Sequence, residues 1–256
     1  STGYQGSLSV PYGGREDQPI FEFASDLRGI TIDMPPPIGK IVADARRPLR
    51  VTQSFEATGS ELAFELDQSA GGILSLVGDE VQGGIIEIGR YEPKAAAFDS
   101  IRITGALPYA SLEEWDGFLL QLDALSKGDV AEAFRARLDS VQVQAAEFDL
   151  FGYALEDVAL GLYPDADSWR MTLLNSEVDG MVRLNDDPDA PLEIVLDNLN
   201  LISDGALGDP LLGLTSEDLL PADVLIRSVY WDGEDYGRWQ FTVQPNDEFV
   251  RLTNLM

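Results

Sequence analysis

The sequence predicts a mainly β protein: a long antiparallel meander curled into an open, apolar-lined groove, with one helical hairpin inserted. Three observations predict it. Runs of alternating apolar and polar residues recur along nearly the whole chain, each ending at Asp, Asn, Gly or Pro. One stretch, residues 111–138, abandons that alternation for helical spacing. The hydrophobic content of 45% over 256 residues is that of a folded protein. A single long sheet must then curl or leave its greasy face exposed, and large exposed apolar patches mark binding.

Residues 1–19 are rich in Gly, Pro and Ser, have little periodicity and read as a loose leading segment. A first β section is expected over 20–105. Ile20, Phe21 and Phe23 begin a strand, and Ile30, Ile32 and Met34 form another after a turn at 26–29. Pro35-Pro36-Pro37 lacks the amide donors a ladder needs and ends it. Pro48 to Glu56, Leu62-Phe64-Leu66, Ile73 to Val77, Gly84 to Ile88 and Phe98 to Ile103 continue the meander.

The helical hairpin is assigned to 106–139. Ser111-Leu112-Glu113-Glu114 has the form of a capping box, and Leu112, Trp115, Phe118, Leu119, Leu122 and Leu125 follow at helical spacing. Lys127-Gly128 stops this helix. Asp129 to Glu132 caps a second, which carries Val130, Phe134 and Leu138. The hairpin reads either as a lid on the apolar face or as a helix that touches a partner or a membrane.

A second β section is expected over 140–256. Val141, Val143, Phe148 and Leu150 open it. Val158, Leu160 and Leu162 follow, then Trp169, Met171 and Leu173, then Val178, Val182 and Leu184, then Leu192, Ile194 and Leu196. Ser203 to Pro221 is a Gly/Pro/Asp-rich connection. The last hairpin joins Val224-Ile226-Val229-Trp231 to Trp239-Phe241-Val243, and Phe249 to Leu255 begins one more strand. The chain starts at Ser1 and stops inside a strand-like pattern, as a piece of something longer would.

Seventeen basic against 45 acidic residues give a net charge of −28, which is unsuited to a nucleic-acid backbone. With no cysteine and no histidine, disulfides, thiolate nucleophiles, Cys/His zinc sites and His-based triads are excluded. The acidic clusters Asp165/Asp167, Asp186/Asp187/Asp189 and Asp232/Glu234/Asp235 fall where hairpin turns favour Asp, and none fits a calcium loop. No spacing singles out a carboxylate pair, and the Gly pairs belong to no phosphate-binding pattern. The expectation is a non-enzymatic protein without cofactor or metal. No run reaches the roughly 20 apolar residues of a membrane span.

Several segments resemble one family. Ser25-Asp26-Leu27-Arg28-Gly29-Ile30-Thr31-Ile32-Asp33-Met34-Pro35-Pro36-Pro37-Ile38-Gly39-Lys40, followed by Pro48-Leu49, is similar to a stretch of the YhdP family of AsmA-like, TamB-related envelope proteins. In order come Ile103-Thr104-Gly105 leading to Trp115, and Trp169 to Leu184 with Asn175-Ser176-Glu177-Val178-Asp179-Gly180 inside it. Asp209-Pro210, Leu220-Pro221 and Gly237-Arg238-Trp239-Gln240-Phe241 complete the likeness, which covers about residues 20–256. The resemblance implies a large protein anchored in the inner membrane of a Gram-negative cell. Its periplasmic β-sheet would line an apolar lumen along which phospholipid moves towards the outer membrane.

On that reading the partners are phospholipid acyl chains and other envelope proteins, and this soluble section is periplasmic. The residues expected to line the groove are Ile30, Ile32, Leu62, Phe64, Leu66, Ile101, Ile103, Leu160, Leu162, Met171, Leu173, Val182, Leu184, Ile194, Leu196, Ile226, Phe241 and Val243. The competing reading is an envelope scaffold with a closed β core and no ligand. A β-sandwich with a blind apolar pocket is a third.

Overall fold

The computed structural model describes residues 3–12, 18–78, 80–89, 99–111, 114, 135–150, 153–187, 190–201, 220–245 and 250–256. They are mainly β and fall into two compact units, 1–108 with 114–141, and 109–113 with 142–256.

The first unit holds β1 (Tyr4–Ser9), β2 (Ile20–Ser25), β3 (Leu49–Phe55), β4 (Ser60–Leu66), β5 (Ala70–Val77), β6 (Glu80–Ile88) and β7 (Ile101–Leu107). Each pairs with its predecessor. The second unit holds β8 (Ala110–Ser111), most of β9 (Leu138–Leu150), β10 (Tyr153–Pro164), β11 (Ser168–Leu174), β12 (Val178–Asn185), β13 (Leu192–Leu201), β14 (Ala222–Trp231), β15 (Glu234–Pro245) and β16 (Val250–Thr253). Its order is β9 through β16, with β8 beside β9. Among the described residues β1 and β16 each have one strand neighbour, so the sheet is open at these edges.

Three expectations are corrected. Residues 4–9, read as part of a loose leader, form β1 against β2. The sheet is mixed rather than a pure meander: β6–β7, β8–β9 and β13–β14 run parallel. A parallel neighbour needs a crossover longer than a hairpin, and the connections from β6 to β7, from β8 to β9 and from β13 to β14 are all longer than a hairpin turn. Ile30 to Met34 is not a strand. Leu27 and Gly29 have φ of 47° and 86°, which reverses the chain, and Pro35-Pro36-Pro37 reverses it again three residues beyond Ile32. One isolated bridge, Ile32 to Lys40, is what remains of the alternation. The helical hairpin over 111–138 lies almost wholly outside the described residues; of it, Ser111 ends β8, and Glu114 and Arg135–Arg137 have helical backbone.

The excursion 26–48 is organised by two buried cations. The Arg47 guanidinium donates to the carbonyls of Pro37, Ile38 and Gly39 and to the Ser69 hydroxyl. Lys40 Nζ donates to the carbonyls of Ile30, at 2.5 Å, and Ala43, at 2.7 Å. Burial holds the Arg47 guanidinium below the usual arginine range, with Asp67 opposing that shift. At the start of the excursion the Arg28 amide donates to Asp26 and lowers its carboxyl below the usual range.

Turn chemistry closes the hairpins. Asp232 and Gly233 both have positive φ, 49° and 80°, the two-residue turn that matches strand twist. Asn175 Oδ1 accepts from the amides of Glu177 and Val178, fixing the β11–β12 turn. In β13 and β14 paired irregularities keep Leu196 with Leu199, and Ile226 with Val229, on one face although each pair is three residues apart. Asp197 and Arg227 occupy these irregular stretches and form an ion pair on the other face. Both are more than half exposed, so Arg227→Gln is expected to lower stability by less than about 1 kcal/mol, read as a small change in urea midpoint.

Candidate functional site

Directly paired residues in a ladder share a face, so register turns the alternation into rows that run across strands. In the second unit one row is Leu162, Met171, Val182, Ile194, Val224 and Phe241, each the partner of the next, from β10 to β15. Beside it runs Leu160, Leu173, Gly180, Leu196, Ile226 and Trp239. A third row is shorter: Pro164, Trp169 and Leu184, with Leu192, Ala222, Val243 and Leu252 carrying the same side onward to β16. No charged residue interrupts these rows. At a strand spacing of about 4.8 Å, six strands give a contour of about 24 Å.

The first unit repeats the pattern. Phe23, Val51, Phe64, Gly72, Ile86 and Ile103 form a row from β2 to β7, and Leu49, Leu66, Ala70 and Ile88 lie beside it. Gly72 is required there: a Cβ would sit 2.5 Å from the Ile85 carbonyl and 2.9 Å from the Phe64 ring, which covers it. The flanking row Leu62, Leu74, Gly84 and Ile101 completes the face.

The opposite faces carry the charged side chains, interspersed with apolar ones such as Ile73, Ile85, Met181 and Val195. Arg183 pairs with Glu193 at 3.2 Å, Arg102 with Asp139 at 2.9 Å, and Arg170 lies 4.4 Å above the Tyr163 ring. A hollow of about 490 Å³ lies on this side of the second unit, between Gln142, Tyr163, Thr172, Asp179 and Arg227. Its lining is mixed and open, so it is not the expected apolar groove.

All the expected lining residues except Ile30 and Ile32 lie on the apolar face of their unit. Leu62, Phe64, Leu66, Ile101 and Ile103 do so in the first; Leu160, Leu162, Met171, Leu173, Val182, Leu184, Ile194, Leu196, Ile226, Phe241 and Val243 do so in the second. Ile30 and Ile32 belong to the 26–48 excursion, off the sheet. The face is of two kinds. Ala222, Val224, Ile226 and Val229 are buried and packed by Leu192, Ile194, Leu196, Leu199, Phe241 and Val243. Leu160, Leu162, Met171, Leu173, Val182 and Leu184 stay half-buried.

The rows also contain Val51, Ile86, Val224, Trp169 and Trp239, which the expected lining omits; cross-strand register, which places them there, is absent from any single strand.

Among the described residues no group of three or more carboxylates comes together, and no helix is long and apolar enough to cross a membrane. Fold and face therefore define an open-sheet protein with a continuous apolar surface on each unit. A family model confirms what the sequence resembles: the model of the YhdP protein matches residues 1–256, and the chain belongs to the YhdP family, whose members are bacterial envelope proteins. No curated protein and no solved structure gives a significant match.

Proposed function

We propose that this chain is a periplasmic section of a lipid-conducting envelope protein, and that its apolar rows carry phospholipid acyl chains between inner and outer membrane. The supporting observation is the continuity of those rows from strand to strand. Each buried methylene of an acyl chain contributes about 0.8 kcal/mol, and the half-buried stretch from Leu160 and Leu162 to Val182 and Leu184 is the part of the rows open to such a chain. A chain lying along such a row meets the same apolar surface at each step, so moving it by one methylene costs little and needs no catalytic group. Head groups remain in water, and the acidic outer faces keep the section from adhering to itself. The section acts without enzymatic chemistry, and the whole protein is anchored in the inner membrane.

The envelope-scaffold reading draws on the packed cluster around Val224 and Ile226, which is closed core rather than open floor. Native mass spectrometry with organic extraction separates the two. The conducting section is expected to carry co-purifying phospholipid and to take up labelled lipid from liposomes. A clean apo mass with no uptake would leave the scaffold.

A further inference from the structure

The apolar side of the second unit ends, at the β14–β15 turn, in three exposed aromatic rings and one carboxylate. Trp231 is the partner of Leu201 and lies two residues beyond Val229, which keeps it on the apolar side. Glu234 is the direct partner of Trp231 across the Asp232-Gly233 turn and shares that side. The Tyr236 hydroxyl donates to the Glu234 carboxylate at 3.5 Å, and the Trp239 indole N–H donates to the Tyr236 carbonyl at 3.3 Å. Trp239 itself stands in the row of Leu196 and Ile226. Trp231 is 47% exposed, Tyr236 52% and Trp239 41%.

Charge on this side has one sign. The four arginines of β12 to β16 all lie on the opposite face: Arg183 against Glu193, Arg227 against Asp197, Arg251 opposite Gln244, and Arg238, which donates to Gln240 at 3.2 Å. Asp179, Asp223 and Asp235 lie there too, Asp223 as the partner of Glu193 and Asp235 as the partner of Tyr230. Among the described residues of these strands, Glu234 is therefore the one charged side chain on the apolar side. A carboxylate beside exposed aromatic rings attracts an organic ammonium group, because the ring faces are negative and the carboxylate supplies the counter-charge. An anionic group meets repulsion at the same place. The apolar rows that lead up to it suit a hydrocarbon tail, so the surface matches an amphiphile with an ammonium at its polar end.

We propose that this hairpin end is a head-group site for phospholipids that carry an ammonium, of the ethanolamine or choline kind. The cation lies over the Trp231 and Tyr236 rings beside Glu234, at the rim where the apolar side meets water. The site deepens the conducting role and rests on it for the presence of lipid, but its contacts belong to the hairpin and not to the Leu162-to-Val182 stretch of the rows.

The indole N–H resonances of Trp231 and Trp239, assigned with Trp231→Phe and Trp239→Phe, report at the site. Dihexanoyl phosphatidylcholine below its micelle concentration is expected to move both, and dihexanoyl phosphatidylglycerol to leave them in place. Choline alone, which lacks the tail, should need a concentration about tenfold higher. Glu234→Gln/Tyr236→Leu should raise the half-saturating lipid concentration about tenfold, whereas Tyr236→Phe, which keeps the ring face, should raise it less than about twofold. Asp235→Asn removes one charge from the opposite face, keeps the acceptor for the Gly237 amide at 2.7 Å and should change nothing. Met171→Asp/Val182→Asp, which tests the groove with long-chain lipid, should leave the indole shifts intact, so a failed groove and a failed head-group site read differently. No shift with the phosphatidylcholine, an equal shift with the phosphatidylglycerol, or an equal loss from Asp235→Asn and Glu234→Gln/Tyr236→Leu overturns the site. Choline as effective as the lipid overturns the phospholipid as its source and leaves a free organic ammonium compound.

Discussion

Replacing Met171 and Val182 together by aspartate is expected to reduce bound lipid by about tenfold or more, while the protein stays folded. The two residues are direct partners between β11 and β12, inside the apolar row that runs from Leu162 to Phe241. Both are half-buried, so a carboxylate at either position reaches water when no lipid is present. An acyl chain lying along the row would have to strip that water, and burying a charge without a partner costs more than several methylenes regain. The ladder hydrogen bonds of β11 and β12 are backbone bonds and survive the exchange. Thr172→Asp/Met181→Asp is the matched control: the same strands, one residue over, and therefore the opposite face. Lipid extracted and counted from the three proteins, with circular dichroism for the fold, decides the matter. Equal loss from both double variants would mean that the added charge unsettles the sheet, and no loss from either would remove the row from lipid binding.

Strand content was legible because period two is local. Leu160 and Leu162, or Met171 and Leu173, announce a half-buried strand from within a single run, and the polar turns between runs are equally local. What alternation cannot give is the partner. It reads an antiparallel meander by default, and the parallel pairs β6–β7 and β13–β14 were hidden in the length of their connections; the long Ser203–Pro221 segment was the available signal. The Leu196/Leu199 and Ile226/Val229 pairs break period two and stay on one face only because neighbouring strands break it together. The Ile30-Thr31-Ile32 alternation gave a false strand for the opposite reason. Its grammar was right, but three prolines and two buried cations fold the segment on itself, and neither Lys40 nor Arg47 announces burial in a sequence where such residues are normally exposed.

The strength of that brace sets the second large effect. Arg47→Leu is expected to destabilise the first unit by about 3 kcal/mol, because it leaves the carbonyls of Pro37, Ile38 and Gly39 and the Ser69 hydroxyl without their shared donor. A lowered base pKa means that folding penalises the charged form. That penalty is constant wherever the side chain remains charged, so the loss should be flat across neutral pH. Arg47→Lys should recover only part of it, since an ammonium lacks the planar fork that spans several acceptors. Arg28→Leu, an exposed change on the same excursion, should cost less than about 0.5 kcal/mol. Urea midpoints give the global cost. Hydrogen exchange at the Gly29, Ile32 and Lys40 amides locates it, because their bonds close the excursion. If Arg47→Leu were as mild as Arg28→Leu, with those amides still protected, Lys40 and the backbone alone would hold the excursion together, and Arg47 would serve only to dock it against Ser69.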